Sequence, residues 1–99
     1  MSIVWSAEAR RSRRALRRLI AQDSEFYAAR MVTRIIERAE RAALSPAQGH
    51  VVHEYPEKPL KEVHESPYRI IYGFSEEEFR VVTVVHFKQR LEKKRLTRR

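Results

Sequence analysis

The hydrophobic period of this 99-residue chain changes once, at Ser45-Pro46-Ala47-Gln48-Gly49, and that change constrains its fold more than any other feature. Before it, apolar residues recur every three or four positions. After it, they alternate. The first period gives a helix one apolar stripe and the second gives a strand one apolar face, so neither half can take the other's structure. A chain this long closes one core, which both halves must share. The expectation is a single α+β domain over residues 1–99, with helices packed on one face of a sheet.

Within that frame Ile3-Val4-Trp5 reads as a first strand (residues 1–5). Ser6 is placed to cap a helix, with Glu8 favourable in its first turn. On the wheel Ala9, Ser12, Leu16, Leu19 and Ile20 share a narrow arc, while Arg10, Arg11, Arg13, Arg14, Arg17 and Arg18 fill the remainder. Asp23 and Ser24 interrupt the pattern and cap a second helix through about Leu44, whose stripe is Ala28, Val32, Ile35, Ile36, Ala39 and Ala43. Residues 6–44 are therefore expected to form an antiparallel helical hairpin. Residues 51–87 supply an antiparallel meander: Val51 to Tyr55, Leu60 to His64, Tyr68 to Phe74 and Phe79 to Phe87. Pro56 and Pro59 make the first connection irregular, and Ser75 to Glu78 turns the last hairpin. On the third of these strands Tyr68, Ile70, Tyr72 and Phe74 face one way, Arg69 and Ile71 the other. Residues 88–99 are a basic tail, either frayed or a short helix.

Lys and Arg number 21 against 13 Asp and Glu, a formal net charge of +8. Residues 1–41 carry +5, residues 42–87 carry −3 and residues 88–99 carry +6. Two basic ends thus flank an acidic middle, and either an acidic protein segment or a nucleic acid suits them. Without cysteine, a disulfide scaffold, a zinc thiolate site and a Cys nucleophile are excluded. His50, His53 and His64 lie in one region, yet no helical His-Glu-x-x-His accompanies them, so neither metal nor cofactor is expected. Two glycines cannot build a phosphate loop, and no Ser-His-Asp order or carboxylate pair is present. No run is long enough for a membrane span, and the start lacks the n- and h-regions of a signal peptide; the expected setting is the cytoplasm.

Individual residues admit two readings each. The six-arginine face is either a solvated surface or a contact for carboxylates or phosphates, both of which arginine grips with two bonds. Arg69 is either a strand arginine paired with a glutamate such as Glu62, or a guanidinium stabilising charge on a scissile phosphate. Tyr68 and Tyr72 either belong to the core with their hydroxyls at an edge or, as the lesser reading, stack on nucleic-acid bases. His86 ends a strand, either structurally or as an acid or base.

The ordered set Val4-Trp5-Ser6, Ser45-Pro46 with Gly49, Glu54, Leu60-Lys61-Glu62-Val63, Ser66-Pro67-Tyr68-Arg69-Ile70-Ile71-Tyr72 and Val82-Thr83-Val84-Val85-His86 resembles the RelE/ParE superfamily of type II toxin-antitoxin toxins. The resemblance runs over nearly the whole chain. It implies a growth-inhibiting toxin held inactive in a hetero-oligomer by a cognate antitoxin with an acidic C-terminal segment. RelE-like members cleave mRNA on the ribosome with basic residues and a late tyrosine; ParE-like members poison DNA gyrase. The RelE-like pattern would give Arg69, Lys88 and Arg90 catalytic roles. No tyrosine follows Tyr72, and the Val-Val-His ending at His86 is more like the ParE branch. The resemblance then implies Arg10, Arg13, Arg14, Arg17, Arg69, His86, Lys88 and Arg90 as antitoxin- or target-binding residues. A third reading, resting on charge alone, is a non-toxic nucleic-acid-binding module.

Overall fold

Ser6 links the first strand, the first helix and the sheet with one hydroxyl. In the computed structural model, which describes residues 1–96, that oxygen accepts from the Ala9 amide at 3.0 Å, capping helix α1 (Ala7–Ala21). It also donates to the Val82 carbonyl at 2.8 Å, and the Ser6 amide bonds the Val81 carbonyl. Helix α2 (Glu25–Leu44) is capped in the same way by Ser24, whose hydroxyl accepts from the Tyr27 amide. Replacing Ser6 with alanine removes a cap and orphans a buried carbonyl. The expected loss is about 2–3 kcal/mol, measured by urea unfolding.

The sheet has five strands: β1 (Ser2–Trp5), β2 (His50–Val51), β3 (Lys61–Glu65), β4 (Tyr68–Phe74) and β5 (Glu78–His86), in the order β1-β5-β4-β3-β2. The architecture is α+β as the sequence implied, with one addition. β1 pairs with β5 in parallel, so the sheet is mixed, while β2 to β5 form the antiparallel meander. Opposite Ile71 and Tyr72 the register slips, Ile71 facing Thr83 and Tyr72 facing Val81, so β5 holds one extra residue there.

The helical hairpin covers one face. Ala9, Leu16, Met31, Ile35, Ala39 and Ala42 pack on Val63, Tyr68, Ile70, Tyr72, Phe79, Val81 and Val84. The buried line on α2 is rotated from the expected stripe: Met31 and Ala42 lie inside, while Val32, Ile36 and Ala43 are only half-buried. Leu19 is 63% exposed, because this last turn of α1 reaches the rim of the sheet instead of its centre.

The opposite face is covered too. Val52, Ile71, Val82, Val85, Leu91 and Leu96 form a second cluster, closed by Tyr55 and Leu60. This explains the shortness of β2. After Val51 the chain turns Val52 inward and runs through successive turns to Leu60, since Pro56 and Pro59 have no amide to give a ladder. The strand expected over residues 51–55 therefore pairs only through His50 and Val51. Phe74, on the strand face of Tyr68, Ile70 and Tyr72 by alternation, is 42% exposed at the end of β4. The C-terminal segment returns across the second face, ending in a 3-10 turn, Lys93–Leu96; residues 97–99 of the basic tail lie outside the described residues.

Gly49 ends the loop after α2 with a close approach. A Cβ there would lie 2.1 Å from the Tyr72 hydroxyl, which donates to the Pro46 carbonyl at 2.7 Å. Tyr72 is thus a core residue with its hydroxyl held at an edge.

Candidate interaction site

The free edge of β5 beyond β1 brings the basic ends of the chain together. Ser12 Oγ accepts from the Val84 amide at 3.1 Å. Arg95 donates to the Val84 carbonyl at 3.0 Å and to Glu8 Oε2 at 3.1 Å, and Thr83 donates to the same carboxylate oxygen at 2.9 Å. The Gln89 side chain accepts from the His86 amide at 2.8 Å. The edge is sealed by side chains, leaving those edge groups satisfied and unavailable for strand pairing.

Glu8, the one carboxylate of α1, is directed inward by these bonds, apart from a 3.4 Å contact to Arg11. Arg10 donates to the Trp5 carbonyl, and Arg13 lies 4.4 Å from the centre of the Trp5 ring. Burial, then the charges of Arg14 and Arg10, push the pKa of Arg13 below its usual value. Among the described residues nothing pairs with Arg14, Arg17 or Arg18. On α2, by contrast, Arg34 and Arg41 both reach Glu65 of β3.

His86 closes β5 opposite Tyr68, their rings edge to face at 5.4 Å. Both line a shallow groove of about 240 Å³ with Leu16, Leu19 and Arg95. Burial raises the Tyr68 pKa. Lys88 and Arg90 are exposed on the turn that follows.

Arg69 stands apart from all of these, on the opposite face of the sheet. Its side chain is 7% exposed and every nitrogen of the guanidinium is engaged. Nε and one terminal nitrogen meet Glu62, at 3.0 and 2.6 Å; the two terminal nitrogens also meet Glu54, at 2.7 and 2.8 Å. His64 Nε2 lies 2.5 Å from Glu62, and its ring stacks on His50 and meets Phe87 edge-on. The hydrogen bonds from Arg69 hold the Glu54 carboxyl below its usual range. Burial pushes Glu62 upward, but bonds from Arg69 and His64 outweigh it, and Glu62 too is held low. The two carboxylates raise the pKa of Arg69 in turn.

The eight candidate residues thus fall into three places: α1 for Arg10, Arg13, Arg14 and Arg17, the end of β5 and its turn for His86, Lys88 and Arg90, and an internal clamp for Arg69. Of the two readings the sequence left open for Arg69, the structure shows the pairing with Glu62; the sequence did not point to Glu54 or to the anchoring by Arg95. It also passed over an apolar tip on the hairpin, where Leu19, Phe26 and Tyr27 are 63%, 74% and 52% exposed. Phe26 and Tyr27 lie outside the predicted stripe at the turn between the helices, which was the available clue.

No helix among the described residues is long and apolar enough to cross a membrane, and no group of three or more His, Cys, Asp or Glu among them is placed to hold a metal ion. Curated proteins include no match to this chain. The family model described as ParE toxin of type II toxin-antitoxin system, parDE, matches residues 3–92. That span holds both helices, most of β1, the whole meander with its bulge, and the turn bearing Lys88 and Arg90. The element order agrees with this match, and the chain belongs to the ParE toxin family of type II toxin-antitoxin systems.

Proposed function

We propose that the free protein inhibits growth by binding DNA gyrase in the cytoplasm, and that a cognate antitoxin neutralises it in a hetero-oligomer. The family match over residues 3–92 carries the reading. Family membership implies the antitoxin; gyrase as the target is supported by two further observations. The Arg69 guanidinium is enclosed by Glu54 and Glu62, an arrangement suited to holding a loop and poorly suited to meeting a scissile phosphate. No tyrosine follows Tyr72 to complete an RNA-cleaving set.

On this reading the protein acts by occupancy, without bond chemistry of its own. His86, Lys88 and Arg90, beside the groove at the end of β5, form the target-facing end. The apolar hairpin tip, where Phe26 and Arg30 line one hollow, suits an antitoxin segment that combines apolar anchors with acidic flanks.

Purified protein titrated into a gyrase supercoiling reaction is expected to abolish supercoiling at saturation, with added antitoxin restoring it. A parallel ribosomal translation reaction should proceed unchanged. Intact supercoiling together with codon-positioned mRNA cleavage would overturn the proposal in favour of the ribosome-dependent nuclease.

A further inference from the structure

The outer face of α1 is crowded with arginine. Five of its six arginines are exposed, and Arg14, Arg17 and Arg18 have no partner among the described residues. The helix's single carboxylate is turned away to Arg95 and Thr83. Like charges this close repel; the Arg13 pKa is lowered first by burial and then by the charges of Arg14 and Arg10. The large exposed apolar side chain of the helix, Leu19, lines the groove near its C-terminal end.

A protein partner gains most of its affinity from a few apolar or aromatic anchors in a desolvated centre. The outer face of α1 offers no such centre. A phosphate backbone asks for none, because neutralising it releases condensed counterions and needs only cations at suitable spacing. Arg10, Arg14 and Arg17 place about one guanidinium on each helical turn. The 15-residue helix is roughly 22 Å long, about two-thirds of a turn of duplex DNA.

We propose that the arginine face of α1 binds the phosphate backbone of duplex DNA, without reading sequence. The choice of DNA rests on gyrase being the target, since the helix would then meet the duplex that gyrase holds. The face would orient the toxin on the enzyme–DNA complex while the end of β5 contacts protein. Backbone contacts of this kind position a protein and leave sequence unread.

The test compares the intact chain with the triple variant Arg14→Gln, Arg17→Gln, Arg18→Gln, whose substitutions are exposed and favourable to helix, so circular dichroism should be unchanged. Binding to a fluorescent 20-base-pair DNA duplex of arbitrary sequence is followed by anisotropy across a salt series. The intact chain should bind with a steep salt dependence, and two unrelated sequences should bind alike. In the triple variant the slope of log K against log salt should shrink by about 2–3, with affinity at low salt falling roughly 30-fold or more. An unchanged slope and affinity would overturn the proposal. So would tighter, face-dependent binding of a polyglutamate peptide or an RNA duplex than of DNA. Supercoiling inhibition is scored separately: its loss in the intact chain removes gyrase as the target, whereas DNA binding indifferent to the three arginines removes the assignment of this face.

Discussion

Arg69→Ala is expected to destabilise the protein by about 3–5 kcal/mol, because it leaves the buried Glu62 carboxylate facing Glu54 without the guanidinium that pairs both, with only His64 beside it. In a domain this size each kcal/mol moves Tm by roughly 4–8 °C, so thermal unfolding should show a fall well above 10 °C. The pH dependence has a definite sign. Glu54 and Glu62 are both held below the usual carboxylate range, so their contribution is full above the unfolded-state pKa, about 4.3, and is lost as pH falls through the lower folded values. The intact chain should therefore lose stability steeply in acid, and the alanine variant less so. The double variant Arg69→Met, Glu62→Met removes the buried pair together and leaves Glu54, about one-third exposed, free to hydrate. It should recover most of the lost stability. The same pair of variants separates clamp from catalyst. If Arg69 acts through the fold, growth inhibition returns with stability in the double variant; if it acts on a phosphate, toxicity stays lost.

The helix–strand division, both N-caps and the bounds of β4 were legible because each rests on local chemistry: period, a serine before an apolar run, and alternation flanked by turns. The strand expected at 51–55 failed where a tertiary effect won. Val51 and Val52 both carry strong strand propensity, but the uncovered face of the sheet takes Val52, and two prolines prevent the ladder from continuing. The rotated stripe on α2 has a similar origin, since Met31 and Ala42 are turned in by where the helix lands on the sheet, which no wheel contains. The candidate site was legible as residue types and not as places. Periodicity put Arg69 opposite Tyr68, but whether it met a phosphate or two carboxylates depended on Glu54, fifteen positions earlier in a loop without regular structure.

The C-terminal segment carries the other large expected effect. Its charge suggests a solvated tail, yet Leu91 and Leu96 are 2% and 9% exposed and cover Ile71, Val82 and Val85. Tyr55 donates to the Leu91 carbonyl at 3.1 Å, tying the segment to the 52–60 loop, while Arg95 ties it to Glu8 and Val84. Leu91→Ala should cost about 2–5 kcal/mol, within the range for a leucine removed from a core. Ending the chain at Arg90 removes both leucines and Arg95 and uncovers much of the apolar surface of Ile71, Val82 and Val85. For a domain whose total stability is of the order of 5–15 kcal/mol, that should leave it largely unfolded or aggregated at 37 °C, detected by dye binding to exposed apolar surface and by loss of the thermal transition. Lys93→Gln, on the exposed side of the same 3-10 turn, should change stability by less than about 0.5 kcal/mol. A truncated chain that keeps the intact Tm would show that the leucines cover a face the sheet does not need covered. The distinction matters for function, because Lys88 and Arg90 are held between His86 and Leu91. If the segment anchors the fold, their placement beside the groove is fixed before any partner arrives, and the target-facing end needs no ordering on binding.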